Sequence, residues 1–319
     1  MKQFLFLLSI ALLSCHSEDT GTPAPKSQGN PSAPKRAVQL NTGTKSLFKI
    51  IEKLPPGIES VFNKMPSKEE GFYKFTFPRS DLSVSIDGVK IDPGFLSTWF
   101  AFRPMDTVNA MALLMGEVVL LESEVRSVLQ KLDQRGIDVS SINSFLLKDQ
   151  PKLTLLHVTA MGDPIDLSAK MKEVLQLTST SLKVTSPDTL KRVDWGKTEK
   201  NLGVIGKKEG NLLRFSIPRN ERIKEEGIEL PESFGVSSVI NFQKAGAKAA
   251  ISGEIVLLPT EISTTEKILS RAGILVTAIN SQMLFDEPHF FILHFWTVDD
   301  PEKVALTLHD LLGNSNHKL

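Results

Sequence analysis

Two stretches of this chain are copies of each other. Residues 116–164 align with residues 253–301 at a constant shift of 137 without a gap, and 20 of the 49 aligned positions are identical. Unrelated sequences of ordinary composition would share roughly three. Upstream, Phe75–Arg79 resembles Phe215–Arg219 at a shift of 140. A chain that repeats itself over such a length is constrained to fold into two similar units.

The residue pattern within each copy predicts a mixed α+β unit. The first copy predicts, in order, a strand (Ala112–Leu121), an amphipathic helix that Ser123 caps and Gly136 ends, two strands (Ile137–Leu147 and Leu153–Ala160) and a helix capped by Asp163. Further strands are predicted at Tyr73–Phe77, Trp99–Arg103, Leu212–Ile217 and Val236–Phe242. Strand–helix–strand–strand–helix is the order of a ferredoxin-like split βαβ unit. The predicted fold is therefore a tandem duplication of a ferredoxin-like split βαβ sandwich, in two pseudo-symmetric copies.

The N-terminus has the pattern of a lipoprotein signal. Lys2 precedes an apolar run, Phe4–Leu13, and Ser14-Cys15 follows it. This run is shorter than the roughly 20 residues that a membrane-spanning helix needs, and it is typical of a secretory signal. Cys15 is the only cysteine, so we predict that it is the lipidated residue. The predicted domains are a signal peptide (1–15), a disordered Pro/Ser/Gly tether (16–45), a first repeat (46–180) and a second repeat (181–319).

Charge and the N-terminal signal together predict the location and exclude one class of partner. Lys+Arg and Asp+Glu are equal at 37 each, so there is no basic surplus for binding nucleic acid. We expect a cell-envelope protein, anchored outside the cytoplasm through lipid on Cys15. No Asp follows Cys15, which favours the outer membrane if the cell has two membranes.

Several segments resemble the LppY/LpqO lipoprotein family, a domain of unknown function that occurs as a tandem pair. They are Gly71–Leu82, Gly116–Leu120, Ile240–Gln243, Gly253–Leu257 and Glu287–Trp296. The resemblance implies a secreted or lipid-anchored protein and no established reaction. Members of that family often carry a His-x-His pair in the strand before the turn. This chain departs from the pattern, with Asn143 and Phe145 in the first copy and Asn280 and Gln282 in the second.

The strand histidines His157 and His294 are the first candidates for a site. If the turns centre on Gln150 and Glu287, Asn143 lies opposite His157, Asn280 lies opposite His294, and Gln282 shares their face. One good nitrogen ligand per copy disfavours a zinc site within a single repeat, whereas convergence of the two histidines across the pseudo-twofold axis favours a shared divalent metal, and no other cofactor is predicted. The alternative is that each is a buried imidazole bonded to the opposite Asn amide.

Two acids and two arginines complete the candidate ligand-binding residues. Glu117 and Glu254 each follow a Gly and could act as a symmetric pair of acids, although a strand-edge carboxylate paired with Lys or Arg is favoured. Arg79 and Arg219 follow Pro and are fork donors for a carboxylate, a ligand or a protein, with Asp81 as a nearby structural partner of Arg79.

The sequence favours a binding protein over an enzyme. It has no phosphate-binding loop, nucleophile elbow, zinc-protease motif or Cys-x-x-Cys. The leading hypothesis is a non-catalytic lipoprotein that binds an unknown small molecule or envelope protein between two facing sheets. The first alternative is a metal-dependent, hydrolase-like enzyme that uses the strand histidines with Glu117 or Glu254. The second is a structural envelope protein without a small ligand.

Overall fold

The computed structural model describes residues 57–69, 71–105, 111–182 and 193–319. The predicted signal peptide with Cys15 and the predicted tether lie outside the described residues. The first half contains α1 (Ile58–Phe62), β1 (Ser67–Glu69), β2 (Phe72–Pro78), β3 (Ser85–Ile86), β4 (Val89–Lys90), β5 (Ser97–Pro104), β6 (Ala112–Leu121), α2 (Glu122–Arg135), β7 (Asp138–Ser144), β8 (Asp149–Gln150), β9 (Leu153–Gly162) and α3 (Pro164–Leu175).

The second half repeats the same order of helices and strands. It contains α4 (Gly196–Leu202), β10 (Lys207–Glu209), β11 (Leu212–Ile217), β12 (Lys224–Glu225), β13 (Ile228–Glu229), β14 (Ser238–Ala245), β15 (Lys248–Leu257), α5 (Ile262–Arg271), β16 (Leu275–Asn280), β17 (Asp286–Glu287), β18 (Phe291–Asp299) and α6 (Pro301–Gly313). The predicted mixed α+β architecture in two similar halves is thereby confirmed.

Each half is built on a six-stranded antiparallel sheet. The strand order is β1-β2-β5-β6-β9-β7 in the first half and β10-β11-β14-β15-β18-β16 in the second. In the first half, β9 lies between β6 and β7 and is antiparallel to both. Since β6 and β7 flank β9, they run parallel to each other and are joined by α2.

One face of each sheet is covered by that half's own helices. In the first half, Phe75 and Leu156 from the sheet pack with Leu132 of α2 and Met171 of α3, and all four are buried. The second half has an equivalent cluster. Because strand side chains alternate between faces, the residues between these apolar positions point away from the helices. Within the described ranges, no helix has the length and apolar composition needed to cross a membrane.

A small three-stranded sheet in each half packs against the large sheet of the other half. The tight β3–β4 turn is Asp87-Gly88, and both residues have positive φ, which suits the twist of a hairpin. Behind this turn, Ile86 and Phe95 share an apolar cluster with Leu212 and Trp296 of the second half. A reciprocal cluster joins elements of the second half to the sheet of the first. The two halves therefore interlock.

The helix caps agree with the sequence in two places and differ in a third. The Asp163 and Asp300 carboxylates accept hydrogen bonds from the first turns of α3 and α6, as predicted. The predicted N-cap Ser123 is wrong, since α2 begins at Glu122. The Glu124 carboxylate accepts from the backbone N–H of Leu121, 2.8 Å away, and this contact fixes the earlier start.

The predicted pairing of the histidine strands is wrong by two residues. His157 lies opposite Ser141 and not Asn143, and His294 lies opposite Ala278 and not Asn280. The turn does not centre on Gln150, because the backbone N–H of Phe145 donates to the Leu153 carbonyl and closes a longer loop. This loop contains β8, which pairs with β3 in the small sheet.

Candidate functional site

A cavity of about 490 Å³ lies between the two large sheets, on the faces turned away from the helices. Residues of both halves line it, and exposed residues near β1 and β10 line its mouth, including Glu69, Ile205 and Lys207. A volume of this size is that of a pocket for a small molecule.

Strand register places an acid and a histidine side by side in each half of the cavity. On the first sheet, Glu117 of β6 pairs with His157 of β9 on one side and with Trp99 of β5 on the other. On the second sheet, Glu254 of β15 pairs with His294 of β18 in the equivalent position. Cross-strand partners point to the same face, so the repeat brings two Glu–His pairs to one cavity.

These pairs are close but make no hydrogen bond. His157 Nε2 lies 3.5 Å from Glu117 Oε2, and His294 Nδ1 lies 3.8 Å from Glu254 Oε1. Both histidine Nε2 atoms are buried and have no hydrogen-bond partner among the described residues. The prediction that each histidine bonds an Asn amide is therefore wrong. Buried polar groups are normally satisfied, so two unpaired imidazole nitrogens on residues that line the cavity are a departure that a bound molecule would explain.

Burial favours the uncharged forms of Glu117 and His157. Burial, aided by the charge of Glu254, raises the pKa of Glu117 well above its usual range, although Lys74 and Arg214 oppose the shift. Burial and the charge of His294 lower the pKa of His157 to about 3. Burial also lowers the pKa of His294, against the effect of Glu254. Both imidazoles are therefore neutral near pH 7, and burial favours the protonated form of Glu117, in which the carboxyl group can donate a hydrogen bond.

Two cations from equivalent positions in the repeats face the same cavity. They are Lys74 of β2 and Arg214 of β11. Burial first, and then the charge of Arg214, lower the pKa of Lys74 to about 8, whereas Glu117, Glu69 and Glu254 act in the opposite direction. Burial also lowers the pKa of Arg214. Because groups of both halves shift one another, the cavity is one electrostatic unit.

Glu117→Gln is expected to remove a pH dependence of stability. A pKa raised by folding gives stability that is fully present below about pH 4.5 and is lost as pH rises through the folded-state pKa. The amide has no proton to lose, so the free energy of unfolding of the variant, minus that of the wild type, should increase with pH. The steepest slope allowed is about 1.4 kcal/mol per pH unit. Urea unfolding from pH 5 to 9 measures it, and a difference independent of pH would contradict the raised pKa.

Of the predicted amide candidates, Gln282 reaches the cavity. Its side chain is buried there, and its Nε2 has no hydrogen-bond partner among the described residues. Asn143 and Asn280 are half-buried at the meeting of β7 and β16, and they are not among the residues that line the cavity. Asn280 Nδ2 donates to Ser141 Oγ across the two halves at 3.0 Å, which is a structural contact.

The prediction that Arg79 and Arg219 serve as ligand-binding forks is corrected by their contacts. Arg79 is fully buried, and its five N–H groups donate to Asp81, to Glu124 and to the Val119 carbonyl. Arg219 makes the same pattern with Glu221, Glu261 and the Val256 carbonyl. Neither arginine has a donor left for a ligand. Asp81 is the partner that the sequence predicted.

The favoured interpretation of Glu117 and Glu254, a strand-edge carboxylate paired with Lys or Arg, is also wrong. Among the described residues, the titratable group within 4.0 Å of each acid is a neutral histidine and not a Lys or Arg. For a metal ion, the cavity offers only these Glu–His pairs. Among the described residues, no three His, Cys, Asp or Glu side chains lie close enough together to hold a metal ion.

The site residues that the sequence analysis missed are Lys74 and Arg214. Both could have been found, since a lone cation inside an alternating strand recurs in both copies at the shift of 140, in Phe-Tyr-Lys-Phe and Leu-Leu-Arg-Phe. Of the three tryptophans, the sequence favours core positions over a place along a groove. Trp99 lines the cavity, whereas Trp195 and Trp296 are core residues. No sequence signal separates Trp99 from them, because Val239 stands at the equivalent place in the second sheet.

Comparisons with known proteins identify a family whose function is unknown. A search of curated proteins found no match. Among solved structures, a trimeric bacterial microcompartment shell protein, PduB, matches at 13% identity over 77% of this chain and 88% of its own, with a TM-score of 0.17. That score is too low to support a shared fold. A family model described as Domain of Unknown Function (DUF1259) matches residues 57–177 and again residues 196–314. The chain therefore belongs to the DUF1259 family and carries its domain twice.

Proposed function

We propose that this protein is an extracytoplasmic lipoprotein that binds a small polar molecule in the cavity between its two sheets and does not transform it. The observation that carries the proposal is the cavity itself, about 490 Å³ in volume and lined by both repeats. Three residues that line it, His157, His294 and Gln282, each have a buried side-chain nitrogen without a partner among the described residues. A ligand that bonds to them would offset their desolvation.

Binding without chemistry is favoured by what surrounds these groups. A nucleophile needs a neighbouring base, and the described residues of the cavity hold serines with no histidine within hydrogen-bond distance. One observation favours catalysis as a second candidate: Glu117 and His157 lie 3.5 Å apart, and burial raises the pKa of the acid and lowers the pKa of the imidazole. A metal-dependent hydrolase would need a third ligand beyond each Glu–His pair, which the bound molecule or a residue outside the described ranges would have to supply.

A thermal-shift screen against sugars, amino acids, organic acids and nucleotides tests the proposal. At least one class should raise the melting temperature of the wild type by mass action. Ser216→Trp should abolish the rise, because the exposed Ser216 lines the cavity. Ser144→Trp, at an exposed strand position that does not line it, should retain the rise. An equal rise in the Ser216→Trp variant would contradict the proposed site, and chemical change in the recovered ligand would favour the enzyme.

The proposed location at a membrane is inferred from the sequence of the first 15 residues. We infer that Cys15 carries the lipid and that the tether holds the folded part away from the membrane. The protein should partition with membranes and lose that property in Cys15→Ser. Equal membrane association of the variant would count against the anchor.

Two finer relationships belong to the same proposal. The quoted segments support kinship with the LppY/LpqO lipoproteins, and the position of β9 between β6 and β7 supports a ferredoxin-like split βαβ core. A superposition on ferredoxin-like domains that left α2 or α3 without a counterpart would contradict the second.

A further inference from the structure

We infer that the ligand is a small organic carboxylate and that Lys74 and Arg214 hold its negative charge. This inference rests on the proposed binding function and names the chemistry of the bound molecule. Lys74 and Arg214 are equivalent residues of the two repeats, and both line the same cavity from the middle of their strands.

Neither cation is neutralised by a protein carboxylate. The described residues place no Asp or Glu oxygen within 4.0 Å of Lys74 Nζ or of the Arg214 guanidinium. Glu69, Glu117, Glu209 and Glu254 act on them from farther away. Two cations in a partly desolvated space without direct counterions are costly for a protein to keep. Such a cost is typical of a binding site.

Neutral contacts orient both cations and leave donors free. Arg214 Nε donates to Asn241 Oδ1 at 2.8 Å, and Nη2 donates to the Gly94 carbonyl of the first half at 2.5 Å. Arg214 Nη1 makes no hydrogen bond to the described residues. Lys74 Nζ lies over the Trp99 ring, 4.1 Å from its centroid, and likewise donates to no described residue. Arg214 therefore keeps free N–H donors on a guanidinium group that two hydrogen bonds hold in place. Lys74 keeps a free ammonium group that the Trp99 ring positions.

The acids in the cavity favour a singly charged ligand. A carboxylate between Lys74 and Arg214 would accept charge-assisted hydrogen bonds from both, and a protonated Glu117 can add a donor. A doubly charged phosphate would meet the same cations, but the charge of Glu254, which also lines the cavity, would repel it more strongly than a singly charged carboxylate. The rest of the ligand would lie toward Gln282 and the two histidines.

The test compares carboxylates with their uncharged amides at constant ionic strength. The probes are acetate, butyrate, lactate and benzoate, each with its amide, and inorganic phosphate. The wild-type protein is compared with Arg214→Gln, Lys74→Met and, as a control, Lys200→Gln, an exposed lysine on α4 that does not line the cavity. Melting temperatures give the screen, and titration calorimetry gives Kd for each hit.

At least one carboxylate should stabilise the wild type while its amide does not, and Arg214→Gln should weaken that binding by about 10- to 100-fold. Lys74→Met should weaken it as well, and Lys200→Gln should leave it unchanged. Without ligand, Lys74→Met should be at least as stable as the wild type, so a loss of binding cannot be ascribed to misfolding.

The inference is overturned if no carboxylate binds, if phosphate binds instead, if amides bind as well as acids, or if Arg214→Gln keeps the wild-type Kd. A neutral molecule that Ser216→Trp excludes, with carboxylates inactive, would refute the anion assignment and leave the proposed function standing.

Discussion

Replacing Arg79 with alanine is expected to lower the free energy of unfolding by about 3–5 kcal/mol, the range for breaking a buried ion pair from one side. The guanidinium is fully buried and satisfies Asp81, Glu124 and the Val119 carbonyl at once. Its removal leaves two largely buried carboxylates and a carbonyl without their donor. Urea unfolding measures the loss, and Arg219→Ala should behave alike because its contacts with Glu221 and Glu261 repeat the pattern.

Arg222→Ala is the matched control for this prediction. Arg222 also faces a carboxylate, Glu229 at 3.3 Å, but its side chain is 80% exposed. Its loss should cost at most about 1 kcal/mol. Arg79→Lys keeps the charge but cannot form the fork, so it should fall between the two. Equal effects of Arg79→Ala and Arg222→Ala would contradict the structural role given to the buried arginine.

Replacing Trp296 with alanine should destabilise both halves of the protein by about 3–5 kcal/mol, the usual range for emptying a buried Trp site. Trp296 belongs to the second half, yet its ring packs in a cluster with Ile86 and Phe95 of the first. Its indole N–H donates to Asp87 Oδ2 at the β3–β4 turn, 2.9 Å away. Trp296→Phe retains most of the ring and should cost less.

Hydrogen exchange read by mass spectrometry separates the two ways in which Trp296→Ala could act. If the halves interlock, the slowest amides of β6 and of β15 should lose protection together, because both depend on the same unfolding event. Loss of protection in β15 alone, with β6 unchanged, would show that the repeats are independent domains.

The sequence was sufficient to predict the repeated architecture because the duplication doubles every local signal. Ala112–Leu121 and Leu212–Ile217 are strands with the predicted bounds, and Asp163 and Asp300 cap their helices. The short β3–β4 hairpin was missed, although Asp-Gly between β-prone residues is a strong turn signal. Strands of two residues are too short to show an alternation of apolar and polar residues. In addition, this hairpin is stabilised by packing against the other half of the chain.

The site was predicted in part, and the errors follow from tertiary contacts. His157, His294, Glu117, Glu254 and Gln282 line one cavity. The facing-sheet hypothesis predicted the two histidines there, whereas the two acids were proposed from their equivalent places in the repeats. Asn143 and Asn280 were misplaced because the loops that follow β7 and β16 carry β8 and β17, and each of these pairs with a strand of a small sheet. The sequence pattern of a hairpin does not reveal such a pairing. Arg79 looked like a free fork because its second acid, Glu124, lies 45 residues away.

The number of ligand molecules bound per chain tests the shared cavity most directly. Calorimetry with the carboxylate that stabilises the protein most should give one molecule per chain, and either Lys74→Met or Arg214→Gln alone should weaken that single site. Two molecules per chain, or a variant that loses half of the capacity and keeps the rest at wild-type Kd, would mean that each repeat binds by itself and would contradict a site built jointly by both.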